Sequence, residues 1–254
     1  MTHIIKIALL HLLLQPGELE HNRRLIEQGV KLAASQQADW IITPELAVSG
    51  LQFPGKIGTG WITPQPDPWM LKFLQLVKSL QADVFLGCPE KGENGSLYNT
   101  VFYINRQGRL AGKQRKVTVT DRWSSSGDMV APITVDQVKV GVLICSDSYP
   151  PQHAAALSAQ KASLLLAPSS WGPGFHGPEG EWEQRSRETR LPLFVCNRTG
   201  EEETLNYWGA ESLVIKDGNR LLSHQSEQSA LLAFQWDLEA MDLISPGFKI
   251  TWIR

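Results

Sequence analysis

The stretch Val138-Lys139-Val140-Gly141-Val142-Leu143-Ile144-Cys145-Ser146-Asp147-Ser148-Tyr149-Pro150-Pro151 decides how the rest of this chain is read. Its alternation and β-branched residues predict a strand, and Pro150-Pro151 cannot continue one. A helical pattern, His153 to Ala159, follows directly. Cys145 is therefore expected at the C-terminal end of a strand that hands over to a helix, which is where open α/β layers place their chemistry. Taken alone, a cysteine on an apolar strand packs as a small hydrophobe, so the residues elsewhere in the chain must decide its role.

Upstream, Ile4 to Leu10 reads as a first strand, Glu18 to Gln36 as an amphipathic helix, and Ala38 to Leu46 as a short buried strand ending on Pro44-Glu45. This is a βαβ opening, and it places Glu45 just past a strand end, as Cys145 is placed. Gly50 to Pro68 is a Gly- and Pro-rich loop carrying Phe53 and Trp61; Pro68 to Gln81 reads as a second helix and Asp83 to Pro89 as a third strand. From Glu93 to Leu110 the signal changes to a hairpin turning at Gln107-Gly108, so the sheet is expected to be mixed. The next stretch carries Lys116, and a second hairpin pairs Val130 to Val135 with Val138 to Ile144.

Downstream, a helix to about Gln160 is followed by the strand Ala162 to Ala167 and an irregular loop from Pro168 to Gly180. Glu181 to Thr189 reads as a short helix, Pro192 to Asn197 as a buried strand, Ala210 to Ser223 as a closing hairpin, and Ala230 to Trp236 as the last strand. No internal repeat or linker interrupts this order, so residues 1–254 are expected to form a single domain.

Composition narrows the partners. The chain has 254 residues, 42% hydrophobic and 20% charged, enough to bury one large core. A formal net charge of −2 gives no electrostatic reason to expect nucleic acid or an anionic membrane, and leaves a small molecule as the expected partner. Three widely spaced cysteines, Cys88, Cys145 and Cys196, fit neither a disulfide framework nor paired zinc knuckles. With no signal-peptide pattern and no membrane-length apolar run, a cytoplasmic protein is expected.

Taken together, Pro44-Glu45, Arg115-Lys116 and Ile144-Cys145-Ser146-Asp147 resemble the Glu-Lys-Cys triad of the nitrilase superfamily, the carbon-nitrogen hydrolases. The likeness extends to Leu97-Tyr98-Asn99-Thr100, Ser170-Trp171, Arg185-Ser186-Arg187-Glu188, Val195 to Gly200 and Gly209 to Ser212, and so runs from Lys6 to Asp237. It implies an α/β fold, a four-layer αββα sandwich with mixed sheets, in a homodimer or higher homo-oligomer. It also implies an amidase-like hydrolase that needs no metal or organic cofactor. Glu45 would be the base, Lys116 the oxyanion partner and Cys145 the nucleophile, an arrangement that suits amide chemistry because an unassisted cysteine is only a few per cent ionised near neutrality.

Departures are specific. Val117 to Asp128 holds no counterpart of the second glutamate common after the lysine; Asp121 and Ser124 to Ser126 stand in that region. Ser146, Trp171 and His176 are the candidate substrate-binding residues, while Asp147 reads as a structural partner that fixes the turn after the nucleophile. Cys145-Ser146-Asp147 is closer to the C-x-D of amidase-like members than to the C-W-E of nitrilases. A nitrilase, an N-carbamoyl amine hydrolase, or a binding module that retains the fold remain the alternatives.

Overall fold

A computed structural model describes residues 3–174 and 177–253. Two sheets form its centre. The first has eight strands and begins with β1 (Ile4–His11), β2 (Trp40–Ile42) and β3 (Asp83–Lys91), with β1 pairing β2 and β2 pairing β3 in parallel. The hairpin β4 (Leu97–Asn105) and β5 (Arg109–Arg115) adds antiparallel strands to one side, so the expected mixed sheet is present. The second sheet, of six strands, has β7 (Val138–Val142), β8 (Leu164–Pro168) and β9 (Leu193–Cys196) in parallel at its centre, with β6 (Ile133–Val135) beside β7. The hairpin β10 (Ser212–Lys216) and β11 (Asn219–His224) closes it.

The chain then returns to the first sheet, where β12 (Ala230–Asp237) lies antiparallel to β1 over its whole length. β13 (Asp242–Leu243) and β14 (Lys249–Trp252) pair with the far side of β12. Neither of these last two strands was legible, because β14 is largely exposed and lacks the apolar run that marks a core strand.

Strands buried on both faces must be apolar throughout, which is why β1, β8 and β9 read as near-continuous hydrophobic runs. Between the sheets, Ile7, Leu9, Trp40, Ile42 and Phe85 share one core with Val140, Val142, Leu166, Phe194 and Val214. Phe194 meets Phe234 and Trp236 edge-on across the gap, at 5.2 and 4.9 Å. On the outer face of the first sheet, α1 (Leu19–Ser35) and α3 (Pro68–Leu80) bury Ile26, Val30, Phe73 and Val77 against Ala8, Leu10, Ile41 and Val84. α3 starts where Asp67 accepts the Met70 N–H at 2.6 Å and Pro68 takes the first helical position.

The second sheet is covered by α4 (Pro151–Ala159) and α5 (Glu181–Thr189). Gly141 of β7 lets α4 approach, since a Cβ there would stand 2.9 Å from Leu157 and 2.7 Å from Leu165. The order helix, sheet, sheet, helix is the expected αββα sandwich. The loop after β2, expected to be irregular, contains one short helix, α2 (Phe53–Ile57). Among the described residues no helix is long and apolar enough to cross a membrane.

Candidate active site

Glu45, Lys116 and Cys145 lie just past the C-terminal ends of β2, β5 and β7, of which β2 and β7 are parallel strands and β5 is antiparallel. After β2 the chain turns sharply at Pro44-Glu45-Leu46, with Leu46 at φ +47°. The turn lies flat on β3 only because residue 87 is glycine: a Cβ there would sit 2.2 Å from the Pro44 carbonyl oxygen. This close approach drives the Glu45 side chain into the protein, where it is fully buried.

A buried carboxylate is costly unless its oxygens are occupied. Glu45 Oε1 accepts from Lys116 Nζ at 2.6 Å and from Asn99 Nδ2 at 2.8 Å, while Oε2 accepts the Ser170 N–H at 3.1 Å. Asn99 also accepts the Lys116 backbone N–H on its carbonyl, at 2.8 Å, so one residue of β4 positions both partners of the ion pair. Lys116 follows the last residue of β5 and is only 2% exposed along its side chain. Burial alone would lower its pKa, but the Glu45 carboxylate 2.6 Å away outweighs that and raises it above the ordinary lysine value.

Cys145 does not end a strand. β7 stops at Val142, and Cys145 opens a single 3-10 turn, Cys145–Ser148, in a left-handed conformation with φ +48°. Non-glycine residues adopt this region at a steric cost, and such strain recurs at functional turns. Asp147 fixes the geometry: Oδ2 accepts the Ile144 N–H at 3.0 Å, while Oδ1 accepts Val117 at 3.0 Å and Thr118 at 2.6 Å. The structural role expected of Asp147 is thus present, and it extends to the segment that follows Lys116. Burial lifts the Asp147 pKa, opposed by the Thr118 N–H and the Lys116 charge.

The Cys145 sulfur lies 3.9 Å from the Ser170 carbonyl oxygen and against the Glu45 carboxylate. Burial first, then the Glu45 charge, pushes the thiol up to about 12, against the opposing pull of Lys116. The thiol is therefore protonated at neutral pH and needs a base at the moment it attacks. Glu45, Lys116 and Cys145, separated by as many as 100 positions, meet at one point, and Ser170 joins them by donating to one and accepting from another.

Among the expected substrate-binding residues, Ser146 is buried and its hydroxyl donates to the Thr118 carbonyl at 2.6 Å. Trp171 is buried beside the site, held by a paired contact in which its N–H donates to Asn197 Oδ1 and its carbonyl accepts from Asn197 Nδ2. Its ring meets Tyr149 at 4.7 Å and Trp182 at 5.0 Å. His176 lies outside the described residues. Asp121, which stands where a second glutamate would be, accepts from Trp123 and Ser124 and caps its own loop.

Sequence reasoning did not assign Asn99, Tyr149 or the Ser170 backbone to the site. Asn99 and Ser170 carried a signal, the Leu97 to Thr100 and Ser170-Trp171 motifs; Tyr149 did not, because its contribution depends on where loops fold back. Among the described residues no three His, Cys, Asp or Glu side chains gather as a metal-ligand set.

The profile of the carbon-nitrogen hydrolase family matches residues 6–244. The probable nitrilase C965.09 of Schizosaccharomyces pombe is 24% identical over 233 residues, covering 87% of this chain and 85% of that protein. An amidase from Nesterenkonia sp. superposes with a TM-score of 0.79 at 20% identity, over 92% of each chain. Saccharomyces cerevisiae Nit3, a member of branch 10 of the nitrilase superfamily, gives 0.82 at 20% identity over 93% of this chain and 92% of its own. Because the match spans both sheets and every element that delivers a residue to the site, the chain belongs to the carbon-nitrogen hydrolase family.

Proposed function

We propose that this protein is a cysteine-dependent amidohydrolase that cleaves a non-peptide C–N bond of a small amide through a thioester. The observation that carries the reading is the convergence of a buried carboxylate, a buried ammonium and a buried thiol from the segments that follow β2, β5 and β7.

With the thiol neutral at rest, Glu45 takes its proton as sulfur bonds to the amide carbon, so no separated thiolate has to exist beforehand. Lys116, kept cationic by its neighbours, faces the oxygen that gains negative charge, together with the Ser146 N–H that follows the nucleophile; losing one such donor costs about 3 kcal/mol in transition-state energy. Glu45 then passes the proton to the departing nitrogen, which leaves as ammonia or an amine. A water, deprotonated by Glu45, attacks the thioester, the carboxylic acid departs, and the proton returns to sulfur.

The family resemblance of Cys145-Ser146-Asp147 to C-x-D favours an amide over a nitrile. An N-carbamoyl amine would use the same steps, with the carbamoyl carbon as the point of attack.

Ammonia release from a panel of amides, N-carbamoyl compounds and nitriles tests the reading. The parent protein is expected to turn over at least one amide, and Cys145→Ala to lower that rate by at least about 10³-fold. Equal background from both proteins would remove the hydrolase reading and leave a binding module.

A further inference from the structure

On the outer face of the first sheet, behind the catalytic cluster, the same strands build a second constellation of charges. Side chains alternate between the faces of a strand. Asn99 and Lys116 turn inward to Glu45, so Tyr98 and Thr100 of β4 and Arg115 of β5 turn outward; there Tyr98 pairs with Glu90 of β3, and Thr100 with Arg115. Glu90 is a buried carboxylate whose oxygens are occupied from these strands. Oε1 accepts from Arg115 Nε at 2.6 Å and Thr100 Oγ1 at 3.2 Å, and Oε2 from Lys113 Nζ at 2.8 Å. Arg115 is thus held by Glu90 on one side and by the Tyr98 ring, 3.8 Å from its guanidinium carbon, on another. The Tyr98 hydroxyl accepts from Asn94 Nδ2 at 3.2 Å, which ties down the platform.

These restraints occupy only Nε of the guanidinium. Among the described residues nothing accepts from Arg115 Nη1 or Nη2, and the side chain lines an open groove of about 390 Å³. Gly92 leaves room beside that edge, since a Cβ there would stand 3.4 Å from Nη2 and 2.8 Å from Tyr98 Cε2. Its φ is not positive, so space and not backbone calls for the glycine. Lys113 uses one of its three donors on Glu90, while Lys91, exposed at the end of β3, has no carboxylate partner among the described residues. Three cations therefore meet two carboxylates, of which Glu90 is already paired and Glu93 stands exposed at the rim, in a chain whose net charge is −2. A preorganised two-donor edge flanked by ammonium groups matches an oxyanion.

We propose that this groove binds the oxyanion end, carboxylate or phosphate, of a small molecule, at a site separate from the one that holds Cys145. Two oxygens accept from Arg115 Nη1 and Nη2, and the ammonium groups of Lys91 and Lys113 complete the charge balance. No group of the groove takes part in the proposed hydrolysis, so the site stands or falls independently of that reading.

Isothermal titration of the full chain with succinate and with inorganic phosphate, at an ionic strength fixed by chloride, tests it. At least one of the two is expected to bind at a single saturable site with Kd on the order of 1–10 mM, and whichever binds names the source of the oxyanion. Arg115→Lys keeps a positive charge for Glu90 but removes the two-donor edge, and should raise Kd at least about tenfold. Lys91→Gln, at an exposed position, should raise it about threefold and decides the matter if Arg115→Lys does not fold. Carbamidomethylation of Cys145 should leave Kd unchanged. No saturation by about 50 mM, a Kd that these substitutions leave unchanged, or binding abolished by blocking Cys145 would overturn the proposal.

Discussion

Glu45 is placed where its charge governs the reactivity of its neighbour. Its carboxylate is among the causes that hold the Cys145 thiol up near 12, whereas Lys116 pulls the other way. Replacing Glu45 by Gln removes the raising charge and leaves Lys116 without its anionic partner, so the thiol pKa must fall. At any pH below 12 the thiolate fraction then rises, about tenfold whenever the pKa drops by one. Glu45→Gln is therefore expected to lose hydrolysis, having no base, while Cys145 alkylation by iodoacetamide gains rate at pH 8 and its pH profile moves to lower pH. Mass spectrometry of the labelled cysteine across pH 6 to 10 reads this directly; a profile at or above that of the parent would show that Glu45 does not control the thiol. At this scale the chain is partly readable. Cys145, Glu45 and Lys116 stand in motifs, but the Ser146 hydroxyl is taken by the Thr118 carbonyl, a contact that depends on how two distant loops fold together.

At the scale of elements, the site depends on a 3-10 turn held in register with the strand end that carries Lys116. Asp147 couples them, since it binds the N–H groups of Ile144, Val117 and Thr118 on its two oxygens. Asn in its place would aim an amide N–H at one of these donors whichever way it is turned, leaving a buried donor unpaired at a cost of about 1–3 kcal/mol. Asp147→Asn is expected to lower stability by that amount in urea unfolding. It should also lower kcat by at least about tenfold, because small displacements of a nucleophile are expensive; stability loss with parent-like kcat would show that the turn does not position Cys145. The strands of the two parallel centres were legible because burial on both faces forces apolar runs. The 3-10 turn was not, since a left-handed backbone at Cys145 and Leu46 is imposed by packing, through Asp147 and the absence of a Cβ at Gly87. α2 was hidden for a related reason: Pro54 and Gly55 mark a loop in most contexts.

Across the whole molecule, the buried titratable groups confine stability to a window of pH. His11 sits between the sheets with Nδ1 at 3.0 Å from Ser212 Oγ, and its pKa is lowered to about 3 by burial, then by His224. In the unfolded chain it titrates near 6.5, so the unfolded state binds the extra proton, and the stability His11 contributes is complete above 6.5 and lost as pH falls toward 3. The thiols act at the other end. Burial pushes Cys145 up to about 12 and raises Cys88 and Cys196 as well, so all three stay neutral in the native state while the unfolded chain ionises them near 9. Their contribution is complete below 9 and is lost as pH rises toward 12. Unfolding free energy from urea titrations should therefore be flat between about pH 6.5 and 9, and each group can add a slope of at most about 1.4 kcal/mol per pH unit on its own limb. His11→Asn separates His11 from the carboxylates that also titrate in acid, because it removes the proton uptake and leaves them unchanged. Its acid limb between pH 6.5 and 4 should be shallower than that of the parent, and identical slopes would mean that His11 is not held neutral in the folded core.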